Sequence, residues 1–103
     1  MTADPLVQRV VKRIAEAIQP TQIILFGSRA TGAARPDSDL DLLIVYSGAK
    51  SKREVELEVQ RLFPLRDFSM DLFVLTPEEL ETYRHVANTL AREVTERGVV
   101  CYG

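Results

Sequence analysis

Gly27-Ser28 closes the apolar run Ile23-Ile24-Leu25-Phe26, and Asp39-Leu40-Asp41-Leu42 opens a second apolar run that continues to Val45. These residue types at this spacing suit phosphate chemistry. A glycine and a serine at the end of a buried strand make a sharp turn that can present backbone N–H groups to an anion. Successive side chains on a strand point to opposite faces, so Asp39 and Asp41 share one face and Leu40 and Leu42 the other. Carboxylates about 7 Å apart along one strand face repel each other unless a cation lies between them. A donor turn beside paired acids is equipment for handling a nucleoside triphosphate.

Turn chemistry alone accounts for Asp39, because Asp is common where a loop enters a strand. It does not account for Asp41, which precedes Leu42-Leu43-Ile44-Val45 at once, since Asp is depleted inside strands. Another apolar segment carries Asp71 between Met70 and Leu72-Phe73-Val74. Acids at Asp39, Asp41 and Asp71, on two adjacent apolar strands, point to a divalent metal site. Two other nucleotide-binding patterns are excluded. Gly27 and Gly32 have P-loop spacing, but Ala33-Ala34 stands where lysine and a hydroxyl residue are required. No G-x-G-x-x-G dinucleotide fingerprint is present.

The elements that must position these residues are legible in the apolar patterning. Asp4 and Pro5 open a helix whose stripe is Leu6, Val7, Val10, Val11, Ile14 and Ile18, and Pro20 closes it. Strands are expected at Gln22 to Phe26, Asp39 to Tyr46 and Phe68 to Leu75, with a helical turn over Ser28 to Gly32. Glu54 to Val59 alternates like a strand, yet Ser51 and Glu54 make a capping box, and Val55, Val59, Leu62 and Phe63 fit a helical stripe. Helix is the better fit, and it leaves Leu57 badly placed. Thr76-Pro77-Glu78-Glu79 starts a final helical region with a stripe of Tyr83, Val86, Ala87, Leu90 and Val94, stopped by Gly98. Val99 to Tyr102 has the composition of a short edge strand. The expected fold is α+β (α/β), a small mixed sheet flanked by helices in the order α-β-α-β-α-β-α.

At 103 residues the chain is expected to be a single domain, 1–103. Its net charge of -2 supplies no basic field, which argues against direct nucleic-acid binding. The lone Cys101, the lack of a membrane-spanning stretch and the lack of a signal peptide suit a cytoplasmic protein. His85 reads as a helix boundary residue, and the Lys50 to Glu58 charge run as a solvated helix face. Tyr46, Tyr83 and Tyr102 read as core or partner contacts.

Gly27-Ser28-Arg29-Ala30-Thr31-Gly32, Ser38-Asp39-Leu40-Asp41-Leu42 and the strand-borne Asp71 resemble the DNA polymerase β-like nucleotidyltransferase superfamily. Within it the chain is similar to the minimal nucleotidyltransferases often known as MntA-like antitoxins. Thr31 stands where many relatives have a basic residue, which leaves that phosphate contact to Arg29 or Arg35, or absent. The resemblance implies Mg²⁺-dependent transfer of AMP from ATP to a hydroxyl, with pyrophosphate leaving. It implies that Asp39, Asp41 and Asp71 bind two Mg²⁺ ions and that Asp71 helps deprotonate the acceptor. It assigns the β and γ phosphates to Gly27 and Ser28, and the pyrophosphate charge to Arg29 and Arg35. A chain this small leaves little surface for an acceptor, so a second protein is expected to supply it. In the antitoxin relatives that partner is a helical HEPN-type toxin and the acceptor a tyrosine. Occlusion of a partner without catalysis, and transfer to a small molecule or RNA, are the alternatives.

Overall fold

The computed structural model describes residues 4–32 and 38–103. Asp4 opens the first helix, α1 (Pro5–Ile18), by accepting the Leu6 N–H at 2.9 Å, and Pro5 occupies the position where a missing N–H costs nothing. Val7, Val10, Val11, Ile14 and Ile18 form its buried stripe. Strand β1 (Gln22–Phe26) follows, then a single helical turn, α2 (Ser28–Thr31), and strand β2 (Leu40–Val45). The ambiguous Glu54 to Val59 stretch is helical, within α3 (Lys52–Leu62). Ser51 and Glu54 exchange both capping-box hydrogen bonds, and Leu57 is left exposed. The chain continues through β3 (Met70–Leu75), α4 (Pro77–Tyr83), α5 (Leu90–Arg97) and β4 (Val99–Tyr102).

The strands form one mixed sheet in the order β3-β2-β1-β4. β1 runs antiparallel to both β2 and β4, while β2 and β3 are parallel and joined through α3. Central β1 and β2 are buried on both faces, which is why their sequences are nearly unbroken apolar runs. Ile23, Leu25, Leu40, Leu42 and Ile44 pack with the stripes of α1 and α3. Ile24, Phe26, Leu43 and Val45 face the other way and pack with Val94 of α5. Asp41 has the same parity as Leu43 and Val45, so it lies on the α5 side of the sheet. No helix among the described residues is long and apolar enough to cross a membrane.

The final helical region differs from the sequence expectation. It is broken into α4 and α5, and Tyr83 and Val86 are 49% and 47% exposed rather than buried. Asn88 adopts a left-handed conformation, φ 64, and Thr89 restarts the chain as the N-cap of α5. The Thr89 hydroxyl accepts the Arg92 N–H at 3.2 Å and lies 2.9 and 2.8 Å from the Tyr83 and Val86 carbonyls. This one side chain therefore caps both sides of the break. Thr89→Ala is expected to lower stability by about 1 kcal/mol in urea unfolding, while Thr89→Ser stays close to wild type.

Candidate functional site at the acidic end of the sheet

The site is built where β1 stops. Gly27 has φ 75 and ψ -158, a conformation reserved for glycine. A β-carbon there would also collide with the Asp41 carboxylate. The Gly27 carbonyl accepts from the Ala30 and Thr31 N–H groups at 3.1 and 3.3 Å, which winds α2 directly after it. The N–H groups of Ser28 and Arg29 lie in the first helical turn, ahead of any intrahelical acceptor. The turn and the acid are thus in direct contact.

Sheet register does the rest. Asp41 stands opposite Phe26 on one side and opposite Asp71 on the other, so β1, β2 and β3 present Phe26, Asp41 and Asp71 in one row. Partial burial pushes the Asp41 carboxyl up to about 6; the Asp71 charge and a shared hydrogen bond with Asp71 push the same way. The charges of Asp39 and, from α5, Glu93 add smaller contributions. Asp39 is exposed and lines a polar cavity of about 520 Å³ together with Asp71. Phe26 and Phe73, with ring centroids 5.7 Å apart, lie on the same face of the sheet as the acids.

Glu93 is a contributor that the sequence reading missed. Its signal is an acid next to buried Val94, which by itself reads as a solvated helix position. Among the described residues, no three His, Cys, Asp or Glu side chains form a ready-made metal cage. The donors that are present still suit Mg²⁺. This ion keeps several waters and is commonly held by one or two carboxylates plus substrate phosphates. Crowded hard oxygen donors open to solvent meet that requirement, and a cation would relieve the repulsion that raises the Asp41 pKa.

Arg29 is tied down by its neighbours. Its guanidinium donates to the Ser38 carbonyl through Nε at 3.1 Å and Nη2 at 2.9 Å, and to Asp4 Oδ2 at 3.0 Å. Asp4 Oδ1 simultaneously caps α1, so one ion pair joins the start of α1, the α2 turn and the residue before Asp39. The Leu40 N–H donates to the Ser69 carbonyl at 2.8 Å, which fastens the start of β2 to the loop before β3. Arg35, the other arginine singled out in the sequence, lies outside the described residues.

Comparison with known proteins places the chain in a domain family and finds solved structures of the same fold. The family model for the nucleotidyltransferase domain matches residues 7–99. A crystal structure of a toxin–antitoxin with AMP-PNP superimposes with TM-score 0.66 at 21% identity, covering 93% of this chain and 73% of that one. A Sulfolobus solfataricus protein assigned to the nucleotidyltransferases gives TM-score 0.59 at 24% identity, covering 92% and 75%. A mutant of the MntA-HpeT toxin–antitoxin, with two aspartates changed to glutamate, gives TM-score 0.65 at 19% identity, covering 93% and 73%. No protein of curated function matches the sequence significantly.

Two stability measurements test the site's electrostatics. Asp41 is neutral in both folded and unfolded chains below about pH 3.8, so its contribution is fully present there and is lost as pH rises through about 6. The shift converts to at most about 3 kcal/mol, and solvent screening reduces it to about 1 kcal/mol. Without divalent cations, Asp41→Asn is therefore expected to be about 1 kcal/mol more stable than wild type at pH 8, and equal to it near pH 3, by urea unfolding. Asp4→Asn keeps the α1 cap but removes the Arg29 pair. A double-mutant cycle with Arg29→Gln is expected to show a coupling of about 1 kcal/mol.

Proposed function

Because the chain belongs to the nucleotidyltransferase domain family, we propose that it transfers AMP from ATP to a tyrosine hydroxyl on a helical HEPN-type toxin, acting as its antitoxin. The observation that carries this reading is the cluster of Gly27, Asp41 and Asp71: a glycine turn packed on a carboxylate that stands opposite a second carboxylate in parallel register. The two toxin–antitoxin structures of the same fold, one of them with AMP-PNP, support a partnered role and an adenine nucleotide.

Each residue has a defined part in the proposed reaction. Gly27 and Ser28 hold the β and γ phosphates through backbone N–H groups and the serine hydroxyl. Asp39, Asp41 and Asp71 would hold two Mg²⁺ ions, which when bound neutralise phosphate charge and polarise the α-phosphate. The acceptor oxygen attacks the α-phosphorus, a new O–P bond forms, and the bridging P–O bond to the β-phosphate breaks. Pyrophosphate leaves, and Asp71 takes the acceptor's proton. Arg29, braced by Asp4 and Ser38, keeps the turn and the acids in mutual register. AMP on a tyrosine adds negative charge and bulk, which suits inactivation of a toxin's own active site.

The test uses ATP labelled on the α-phosphate, Mg²⁺ and the toxin that co-purifies with the chain. Label is expected on the toxin, with the added mass of AMP, and none is expected from γ-labelled ATP. Asp39→Asn and Asp41→Asn should each lower the rate at least about 100-fold. Toxin neutralisation that survives unchanged in the double variant would instead establish occlusion.

A further inference from the structure

The row of acids has two different ends. On the β1 side Asp41 abuts Gly27 and the phosphate turn; on the β3 side Asp71 borders the polar cavity of about 520 Å³ that Arg66 and Ser69 also line. In phosphoryl transfer the attacking and leaving oxygens lie roughly in line across the phosphorus. A nucleotide whose β and γ phosphates sit at Gly27-Ser28 must therefore receive its acceptor from the β3 side, through that cavity. This step rests on the proposed nucleotide site.

The cavity does not stop there. Arg66, Phe68 and Ser69 also line a second polar cavity of about 620 Å³, which extends to Arg9 of α1 and to Arg29. The two cavities adjoin through the shared residues Arg66, Phe68 and Ser69, near the starts of β2 and β3, and together make a trough. Arg66 is oriented within it by donating to the Phe68 carbonyl at 3.1 Å and to Gln60 Oε1 at 3.0 Å. Arg9 is an exposed α1 residue, and Leu65, next to Arg66, is 96% exposed. Asp67 is the one acid on the wall of this second cavity. With Arg29 paired to Asp4, the basic stretch of this second cavity is Arg9 and Arg66 against Asp67, with Leu65 exposed beside it, while the adjoining cavity carries the acids Asp39 and Asp71.

We propose that this trough is the acceptor-docking surface, and that it takes an acidic polypeptide segment. The segment's hydroxyl reaches Asp71, its carboxylates pair with Arg66 and Arg9, and an apolar side chain covers Leu65. Arginine is suited to bidentate carboxylate recognition, and an oriented guanidinium loses less freedom on pairing. A nucleic-acid acceptor fits less well, because backbone binding needs many phosphate contacts and gains nothing from an exposed leucine.

Random copolymers of Glu and Tyr and of Lys and Tyr serve as probes, each assayed for binding by fluorescence anisotropy and for transfer from α-labelled ATP. The Glu,Tyr copolymer is expected to bind at least tenfold tighter and to have a correspondingly lower acceptor KM. Arg9→Glu and Arg66→Glu should each raise that KM at least fivefold with kcat and Mg²⁺-ATP binding unchanged, and Leu65→Ser should raise it about threefold. Equal use of both copolymers overturns the trough, as does transfer indifferent to both arginines or stronger labelling of an oligoribonucleotide. Arginine-dependent binding of the Glu,Tyr copolymer with no transfer to any hydroxyl supports the trough and overturns the AMP transfer reaction instead.

Discussion

The crowding of Asp41 against Asp71 is the constraint around which this fold is arranged. Parallel pairing of β2 and β3 sets the two acids directly opposite each other. Like charges opposite one another destabilise a sheet, and here partial burial adds to the repulsion. The remainder of the sheet must tolerate that. It does so by burying nearly everything else on β1 and β2, from Ile23 to Phe26 and from Leu42 to Val45. The acids sit at the end of this apolar block, where solvent, a cation or a substrate can still reach them.

The connections reinforce the same end. Gly27 is the point where the first βα turn touches the acid, and no other residue type satisfies both its backbone conformation and its closeness to Asp41. Arg29 then pins the segment entering β2 through the Ser38 carbonyl, with Asp4 as counter-ion. The pair is partly buried, with Arg29 only 10% exposed, so solvent screens it less than it would a surface pair. Opposite charges thus fix the backbone a few residues from where like charges are forced together.

Much of this was legible in the sequence, and for definite reasons. Asp41 and Asp71 stood out because acids inside apolar strands have no structural excuse, and Gly27 because it ended a buried run. Both capping boxes named their helices in advance, and that decided α3 against its misleading alternation. The break between α4 and α5 was not legible, because the stripe from Tyr83 to Val94 stays in phase with a helix. Asn88-Thr89 ends it through backbone conformation and capping, which periodicity does not register. The family resemblance assigns pyrophosphate charge to Arg29, but its contacts with Asp4 and Ser38 have no sequence signal, because only tertiary structure brings them together. Glu93 was hidden for the same reason.

The sheet order sets the glycine turn and Asp71 on opposite sides of Asp41. β2 lies between β1, which delivers the turn, and β3, which delivers Asp71. The turn and Asp71 therefore lie two strand spacings apart, about 10 Å, with Asp41 between them. An antiparallel β2–β3 pair joined by a tight turn would have no room for the α3 crossover and the loop from Pro64 to Ser69. Parallel pairing requires that long connection, and the connection supplies Arg66 beside Asp39 and Asp71. The topology that forces the carboxylates together is the same one that furnishes the cation beside them.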